Sequence, residues 1–226
     1  MTQGLLSARF RFALGVTLAM LATAPASADV LGALTACQAE RQHIADLPAT
    51  LMRQGWSGVP MPLSPERTNR LIMASLLNVP ASGALRPESQ TADWQIVWTE
   101  ARNWANDQSL RFLAGAPQYA FLLEDGRGNL LYIQAGETDD TISMSCSVAV
   151  TATAAADPAF VPDLTPNTSE GSVLSVSDRV DNRLSRATHI IIELAIRPQD
   201  FTTAIGVPTD VVAVLYTNSS YPKEPQ

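Results

Sequence analysis

Several residue types and motifs that commonly mark an enzyme site are scarce or absent. The chain of 226 residues has two histidines, His43 and His189, and two cysteines, Cys37 and Cys146. It has no G-x-G-x-x-G or Walker loop, no G-x-S-x-G nucleophile elbow and no EF-hand pattern. Because these motifs mark nucleotide-binding folds, α/β hydrolases and calcium loops, we expect no cofactor and no metal. The sequence leaves open whether the protein is an enzyme.

Positive charge is also scarce. Acidic residues outnumber basic ones by 22 to 15, the net charge is −7, and Lys223 is the only lysine. The arginines are scattered and form no basic cluster. Nucleic-acid binding depends on neutralising phosphates with basic side chains, and docking on anionic lipid depends on basic segments. We therefore predict no nucleic-acid partner and no docking on anionic lipid.

Long apolar runs are absent after residue 28, so we expect no transmembrane segment in the mature chain. Residues 1–28 instead have the three parts of a secretory signal peptide. Arg9 and Arg11 precede an apolar run that ends at Ala24, and small residues follow up to Ala28. We predict cleavage after Ala28 and a bacterial periplasmic or secreted protein that begins at Asp29.

A lipoprotein signal is the second interpretation of the N-terminal region. Residues 34–37, with the sequence LTAC, match the short lipobox pattern in which the cysteine is acylated. A lipobox adjoins the apolar core of its signal, whereas Pro25 and Asp29 separate the two here. An outer-membrane lipoprotein acylated at Cys37 is therefore kept as an alternative.

The two cysteines of an exported chain predict one disulfide, between Cys37 and Cys146. Cys37 lies on the apolar stripe of a predicted helix, and Cys146 lies on the apolar face of a predicted strand. Both side chains should therefore point into the core. The two residues form no C-x-x-C motif, so we predict a structural bridge and not a redox pair.

Helical patterns fill the first half of the chain. Residues 29–53 carry an apolar stripe at spacings of three and four, with Pro48 as a break or restart. Ser64 followed by Pro65 predicts the start of another helix, which Pro80 ends. Residues 94–114 fit a helix or a strand at their start, and the continuation without a turn signal favours a helix.

Strand patterns fill the second half. Residues 119–123 and 130–134 flank a glycine-bearing turn and predict a hairpin. Residues 142–150 alternate strictly between apolar residues and mainly serine, which predicts one buried and one polar face. Further strands are predicted at 188–196 and 210–217, with room for a short helix between them, and residues 172–177 are another candidate strand.

Helices before residue 118 and strands after it predict an α+β fold. We expect N-terminal helices packed on a mainly antiparallel sheet formed by the C-terminal half. The predicted organisation is a signal peptide at 1–28 and a single domain at 29–226. Segment 151–171, rich in proline, alanine and threonine, is predicted as a long loop, and its role as a domain boundary is left open.

His189 and Glu193 are the candidate catalytic residues. On the strand predicted at 188–196 they share a face with Arg197, and four aliphatic residues face the other way. An acid/base pair in a cleft is the functional interpretation. A solvent-facing row with cross-strand charge pairing is the structural one, and we favour it.

Two further pairs of residues have a structural explanation that we also favour. Glu40 and His43 lie one helical turn apart, but a di-metal helical bundle needs two copies of such a pair. Trp94 and Trp98 have the same spacing and would make an aromatic platform for a sugar or a peptide. Core packing at a helix–sheet junction is the commoner use of such a pair.

The turn at residues 125–129, with the sequence DGRGN, combines oxygen-bearing side chains and glycines. Together with Glu137, Asp139 and Asp140 it would supply oxygens for a calcium ion. Arg127 stands where a calcium site would gain from an acid, and the composition fits hairpin turn chemistry. We therefore predict a turn.

These features predict an exported soluble protein that acts as a non-catalytic periplasmic binding or interaction module. Its partner is an unknown protein or small molecule of the cell envelope. A small periplasmic hydrolase with an unrecognised site is the alternative from the enzyme class. The sequence specifies neither a ligand nor an oligomeric state.

Overall fold

The structure, a computed structural model, describes residues 28–38, 46–80, 82, 94–115, 119–137, 141–156, 174–181 and 188–222. Its helices are α1 (Val30–Cys37), α2 (Leu47–Arg53), α3 (Pro65–Ser75), α4 (Trp94–Leu113), α5 (Ala152–Ala155) and α6 (Pro198–Ile205). Its strands are β1 (Ser57–Gly58), β2 (Ala120–Glu124), β3 (Leu130–Glu137), β4 (Thr141–Thr151), β5 (Leu174–Asp181), β6 (Thr188–Ile196) and β7 (Val211–Pro222). No helix in these ranges is long and apolar enough to cross a membrane. The predicted α+β class is confirmed.

All seven strands belong to one sheet, in the order β1-β2-β3-β4-β7-β6-β5. Every neighbouring pair is antiparallel. β7 lies between β4 and β6, so the pairing of β4 with β7 joins the strands before residue 157 to those after residue 173. The hairpin predicted at 119–134 is present as β2 and β3.

Helices cover both faces of the sheet. We call the face under α3, α4 and α6 the first face and the face under α1 and α2 the second face. Buried side chains of the first face come from the three helices and from alternate strand positions, among them Leu71, Val97, Phe201, Leu122, Tyr132 and Val214. Those of the second face include Leu34, Leu51, Leu131, Cys146, Val148 and Leu215.

The strict alternation of β4 predicts one polar face, and this prediction is wrong for half of the strand. Ser147 and Ala149 are buried on the first face because α3 packs over them. The Ser147 hydroxyl donates a hydrogen bond to the backbone carbonyl of Ala74 in α3. A buried hydroxyl needs a hydrogen-bond partner, so a serine that has one is compatible with a buried position as well as a solvent-exposed one. Ser143 and Ser145 are only partly buried.

The predicted start of α3 and the helical character of α4 are confirmed. Ser64 accepts a hydrogen bond from the backbone N–H of Arg67 at 3.3 Å, and Pro65 occupies the first turn. This arrangement satisfies one otherwise unpaired amide and uses a proline where no N–H is needed. The helix ends at Ser75, and turns continue the chain to Pro80.

The C-terminal region is more ordered than its sequence suggests. The sequence predicts that residues 218–226 are frayed, yet β7 continues to Pro222. Its last part pairs with β4 on one side and with β6 on the other, as Ser220 stands opposite both Ser143 and Thr188. Two partner strands satisfy backbone groups that a terminal segment would otherwise expose. α6 fills the crossing between β6 and β7 and ends at Gly206, whose φ of +78° suits a glycine.

The predicted disulfide is present. Cys37 at the end of α1 and Cys146 in the middle of β4 are bonded, with 6.3 Å between their Cα atoms. Both residues are fully buried in the second-face core. Asp29 caps the N-terminus of α1, and its Oδ1 accepts a hydrogen bond from the Gly32 amide at 2.9 Å. The bridge therefore fixes a short, capped helix to the centre of the sheet.

Removal of the disulfide should lower the free energy of unfolding. The two cysteines are 109 residues apart, and in the chain-entropy treatment such a loop contributes about 4 to 5 kcal/mol. The C37A/C146A variant should therefore unfold at a clearly lower urea concentration than the oxidised protein. Reduced wild-type protein is the matched control, because its chain is equally open. A urea midpoint that neither change lowers would contradict this role.

Candidate functional site

β6 carries the two residues that the sequence marks for catalysis. His189 and Glu193 lie four positions apart on this strand and so share one face of the sheet. This is the second face, since Glu193 stands opposite Leu215 of the second-face core. A strand advances about 3.3 Å per residue, so their Cα atoms are about 13 Å apart, a separation that no direct hydrogen bond spans. The two residues are therefore separate groups.

Strand pairing gives His189 two other neighbours. Asp181 of β5 and Ser219 of β7 are the residues directly opposite it. Opposite residues of an antiparallel pair share a face, with their Cβ atoms about 4.5 to 5.5 Å apart. Asp181, His189 and Ser219 therefore occupy adjacent positions, which we call the cross-strand row. A carboxylate, an imidazole and a hydroxyl in this order are the parts of a hydrolytic triad.

The end of α1 lies over the Ser219 position. Gln38 donates a side-chain hydrogen bond to Thr217 at 3.1 Å, and the Tyr221 hydroxyl donates to the backbone carbonyl of Gln38. Thr217 and Tyr221 flank Ser219 on the same face of β7. Ser219 is 0% exposed. A substrate would reach its hydroxyl only after this cover moved.

The turn between β2 and β3 is a closed hydrogen-bond network. Asp125 Oδ1 accepts from the backbone N–H groups of Arg127 and Asn129, both at 2.9 Å. Asp125 Oδ2 accepts from the Asn129 side chain at 2.8 Å. Asn129 Oδ1 in turn accepts from the Thr151 amide, and the Thr151 hydroxyl donates to the Arg127 carbonyl. The turn is thereby tied to the end of β4.

Two ion pairs connect α3 to the same end of the sheet. Arg67 Nε and Nη2 donate to the two carboxylate oxygens of Glu124 in β2, each at 2.7 Å. This hydrogen-bonded pair raises the pKa of Arg67 above its usual value. Arg70 pairs with Asp210, just before β7, and lies against Gly128 of the turn. Gly128 has a φ of +83°, which favours glycine, and a Cβ atom there would lie 2.7 Å from Arg70 Nη1 and displace this guanidinium.

These contacts explain the turn without a calcium ion. Both carboxylate oxygens of Asp125 are occupied by donors of the turn itself. Glu137 ends β3, seven residues after its first residue Leu130, so it lies roughly 23 Å along the strand from the turn. Within the described part of the chain, no three His, Cys, Asp or Glu residues gather to hold a metal ion. Asp139 and Asp140 lie outside the described residues.

The tryptophans of α4 pack into the first-face core. Trp98 is buried and meets the edge of Phe201, with ring centroids 5.5 Å apart. Trp104 makes a similar contact with Tyr132 at 4.8 Å. Burial raises the pKa of the Tyr132 phenol well above its ordinary value of 10.0. Trp94 is partly buried against the same core, so the interpretation as packing residues is supported over an aromatic platform.

The outer side of α4 has a shallow, open depression. Its lining comes from one stretch of the helix, namely Gln95, Ile96, Thr99 and Glu100. Ile96 is 52% exposed there. Ligand sites are usually concave and bring polar groups together from several elements, which this depression does not do. Glu40 and His43, the other candidate pair, lie outside the described residues.

The sheet ends in edges of very different length. β1 at one end has two residues, whereas β5 at the other end has eight. Within the described residues no strand pairs with the outer side of β5. Alternate backbone N–H and C=O groups of an edge strand point away from the sheet and can pair with another strand. β5 contains three charged residues, Asp178, Arg179 and Asp181.

Comparison of the sequence with protein-family models and curated proteins, and of the fold with solved structures, finds no match. The geometry described above therefore carries the functional argument. Its two distinctive features are the cross-strand row on the second face and the long edge strand β5, whose outer side pairs with no other described strand.

The network at Asp125 should be worth more to stability than an exposed carboxylate. In an Asp125→Asn variant, one of the three donors that now meet the carboxylate would face an amide NH2 group. A lost hydrogen bond to a charged group costs about 1.5 to 3 kcal/mol. We expect a loss of this size in urea denaturation. The matched control is Asp107→Asn, which breaks an exposed pair with Arg111 and should cost less than about 1 kcal/mol. Equal losses would contradict the assignment.

Proposed function

We propose that the protein is exported and acts outside the cytoplasm as a soluble, non-catalytic interaction module that binds a protein partner through the free edge of β5. The observation that carries this proposal is the eight-residue strand β5 at one edge of the sheet, which pairs with no other described strand on its outer side. Extended segments add to such edges through main-chain hydrogen bonds, and alternate side chains then give specificity.

The disulfide supports the proposed location. Disulfides persist in the periplasm and outside the cell, and they are rare in the reducing cytosol. Residues 1–28 have the pattern of a cleavable signal peptide. Acylation of Cys37 would need the sulfur atom that is bonded to Cys146. The disulfide therefore favours the soluble exported form over the lipoprotein alternative.

The charged groups at the α3 end of the sheet are best explained by a structural role. Arg67 pairs with Glu124, and Arg70 pairs with Asp210. Asp125 and Asn129 satisfy each other and the neighbouring backbone. Groups held by such partners fix the turn and the strand ends in place.

A photo-crosslinking experiment tests this proposal. A benzophenone amino acid is placed at Ser177 in β5 of the chain with its own residues 1–28, and the protein is irradiated in cells. We expect a crosslinked adduct of one mass, joined through one peptide of the partner, on a chain that begins at Asp29. The same amino acid at Thr203, an exposed position of α6, is the matched control and should give no such adduct.

Three outcomes would contradict the proposal. Identical adducts from positions 177 and 203 would mean that contact at β5 is not specific. A complete absence of adducts at position 177 would mean that the edge is not used. A chain that retains residues 1–28 would overturn the proposed export.

A second candidate function, a small periplasmic hydrolase, is favoured by the cross-strand row. Asp181, His189 and Ser219 stand in register on three adjacent strands. In such a reaction His189 would take the proton of the Ser219 hydroxyl as it attacks, and Asp181 would orient the imidazole. The cover formed by Gln38 over Ser219 would have to open first.

A fluorophosphonate probe, which reacts with activated serines, tests this second candidate. Labelling should occur at Ser219 and be lost in both the Ser219→Ala and the His189→Ala variants. Ser220, the neighbouring serine on the opposite face, provides the matched control, because Ser220→Ala should leave the labelling unchanged. A wild-type protein that takes up no probe would remove the hydrolase from consideration.

A further inference from the structure

The C-terminal end of α1 is tied to the sheet at three points. Cys37 is bonded to Cys146 of β4. Gln38 donates a side-chain hydrogen bond to Thr217 of β7 at 3.1 Å, and its backbone carbonyl accepts one from the Tyr221 hydroxyl. Cys146 and Thr217 stand directly opposite each other in the pairing of β4 with β7. The disulfide and the Gln38 side chain therefore hold the end of α1 to neighbouring positions of the sheet.

The disulfide is the strongest of these three ties. The other two are hydrogen bonds between uncharged groups, which stabilise little because water offers similar bonds after release. α1 has eight residues, and a helix of this length is marginal without outside support. Its other buried residues, Val30, Ala33 and Leu34, lie earlier in the helix than Cys37. Without the disulfide, the residues after Leu34 are held mainly by the two hydrogen bonds.

Ser219 lies beneath this end of α1. It stands between Thr217 and Tyr221 on the second face, and Gln38 contacts both of these neighbours. Ser219 is 0% exposed, whereas Ile142, which stands opposite Tyr221, is 45% exposed. Ser219 and Ile142 are diagonal neighbours on this face. Ser219 therefore lies at the border of the covered area, next to exposed surface.

We propose that the Cys37–Cys146 disulfide is a redox-sensitive lock on this cover. In the oxidised protein the end of α1 stays closed over Ser219. Reduction frees the residues after Leu34 and admits solvent and small molecules to the Ser219 hydroxyl, while the sheet remains folded. The disulfide acts as a lock and not as a catalyst of thiol exchange. This inference goes beyond the proposed function at β5, and it does not require Ser219 to be a nucleophile.

The opening reaction is a thiol–disulfide exchange with a dithiol. One thiolate of the dithiol attacks a sulfur of the bridge, and the S–S bond breaks to leave a mixed disulfide and one cysteine thiolate. The second thiolate of the dithiol then attacks the mixed disulfide and releases the other cysteine. Two electrons pass to the bridge, each cysteine takes up a proton, and the dithiol becomes a disulfide.

Access controls the rate of this exchange. Both cysteines are fully buried, so a reductant reaches the bridge only through fluctuations of the surrounding structure. The closed form therefore persists in an oxidising compartment until a dithiol acts on it. It follows that the fluorophosphonate test of the hydrolase applies to the reduced protein as well as to the oxidised one.

A cysteine at position 219 reports whether the cover is open. The Ser219→Cys variant with its native disulfide, checked by peptide mapping, and the C37A/C146A/S219C variant each contain one free thiol. The rate of alkylation by iodoacetamide is measured for both without denaturant. We expect the thiol to react at least about tenfold faster in the variant without the disulfide, because local opening exposes it.

Ser75→Cys is the matched control, made with and without the disulfide in the same way. Ser75 lies in α3 and, like Ser219, is 0% exposed. Its alkylation should not accelerate when the disulfide is removed, because only global unfolding would expose it. Equal acceleration at positions 75 and 219 would overturn the lock, since the whole fold would then be opening. The same conclusion would follow if the thiol at position 219 reacted at one rate in both backgrounds.

Hydrogen exchange on the wild-type chain tests the lock without a mutation. The Gln38 amide donates to the Thr35 carbonyl at 3.0 Å in the closed form. After reduction by dithiothreitol, the amides of residues 34–38 should lose protection, whereas those of β4 and β7 should keep it. Unchanged exchange at residues 34–38, or an equal loss of protection in β4 and β7, would overturn the proposal.

Discussion

The antiparallel pairing of β4 with β7 is the interaction on which the rest of the structure depends. It runs from Thr141 and Pro222 at one end to Thr151 and Val211 at the other. β4 also bears the contacts to both helical layers, since Cys146 is bonded to α1 on the second face and Ser147 contacts α3 on the first. Loss of this pairing would separate the sheet into two parts and remove the support of both layers.

The α3 end of the sheet and its β5 edge differ in how their polar groups are satisfied. At the α3 end, charged and amide side chains hold the β2–β3 turn, the end of β4 and the start of β7 together. At the β5 edge, main-chain groups have no partner strand in the part of the chain that the structure describes. A sheet that is held by ion pairs at one end and has an edge strand with unpaired main-chain groups suits binding of another protein. Of the cross-strand row, Ser219 lies beneath the end of α1, and chemistry at its hydroxyl would first require movement of this cover.

Local patterns predicted most of the elements, because their causes are local. Ser64 and Pro65 predict the start of α3, and the alternation of residues 188–196 predicts β6. Features that depend on distant partners were not predictable. The burial of Ser147 depends on α3, and the strand structure of Asn218 to Ser220 depends on the two strands beside it. Asp181 and Ser219 join His189 only through register, which a single sequence does not specify.

The position of β7 has a consequence for how a growing chain behaves. β7 follows every other described strand in the sequence, yet it occupies the middle of the sheet. Until residues 211–222 become available, β4 and β6 each lack one of their partner strands, and no pairing between the described strands joins those before residue 157 to those after residue 173. A chain that lacks residues 211–222 therefore lacks the strand with which both β4 and β6 pair. The sheet is completed only when β7 pairs with β4 and β6. Before that step, the incomplete chain can be bound by chaperones or cleaved by proteases.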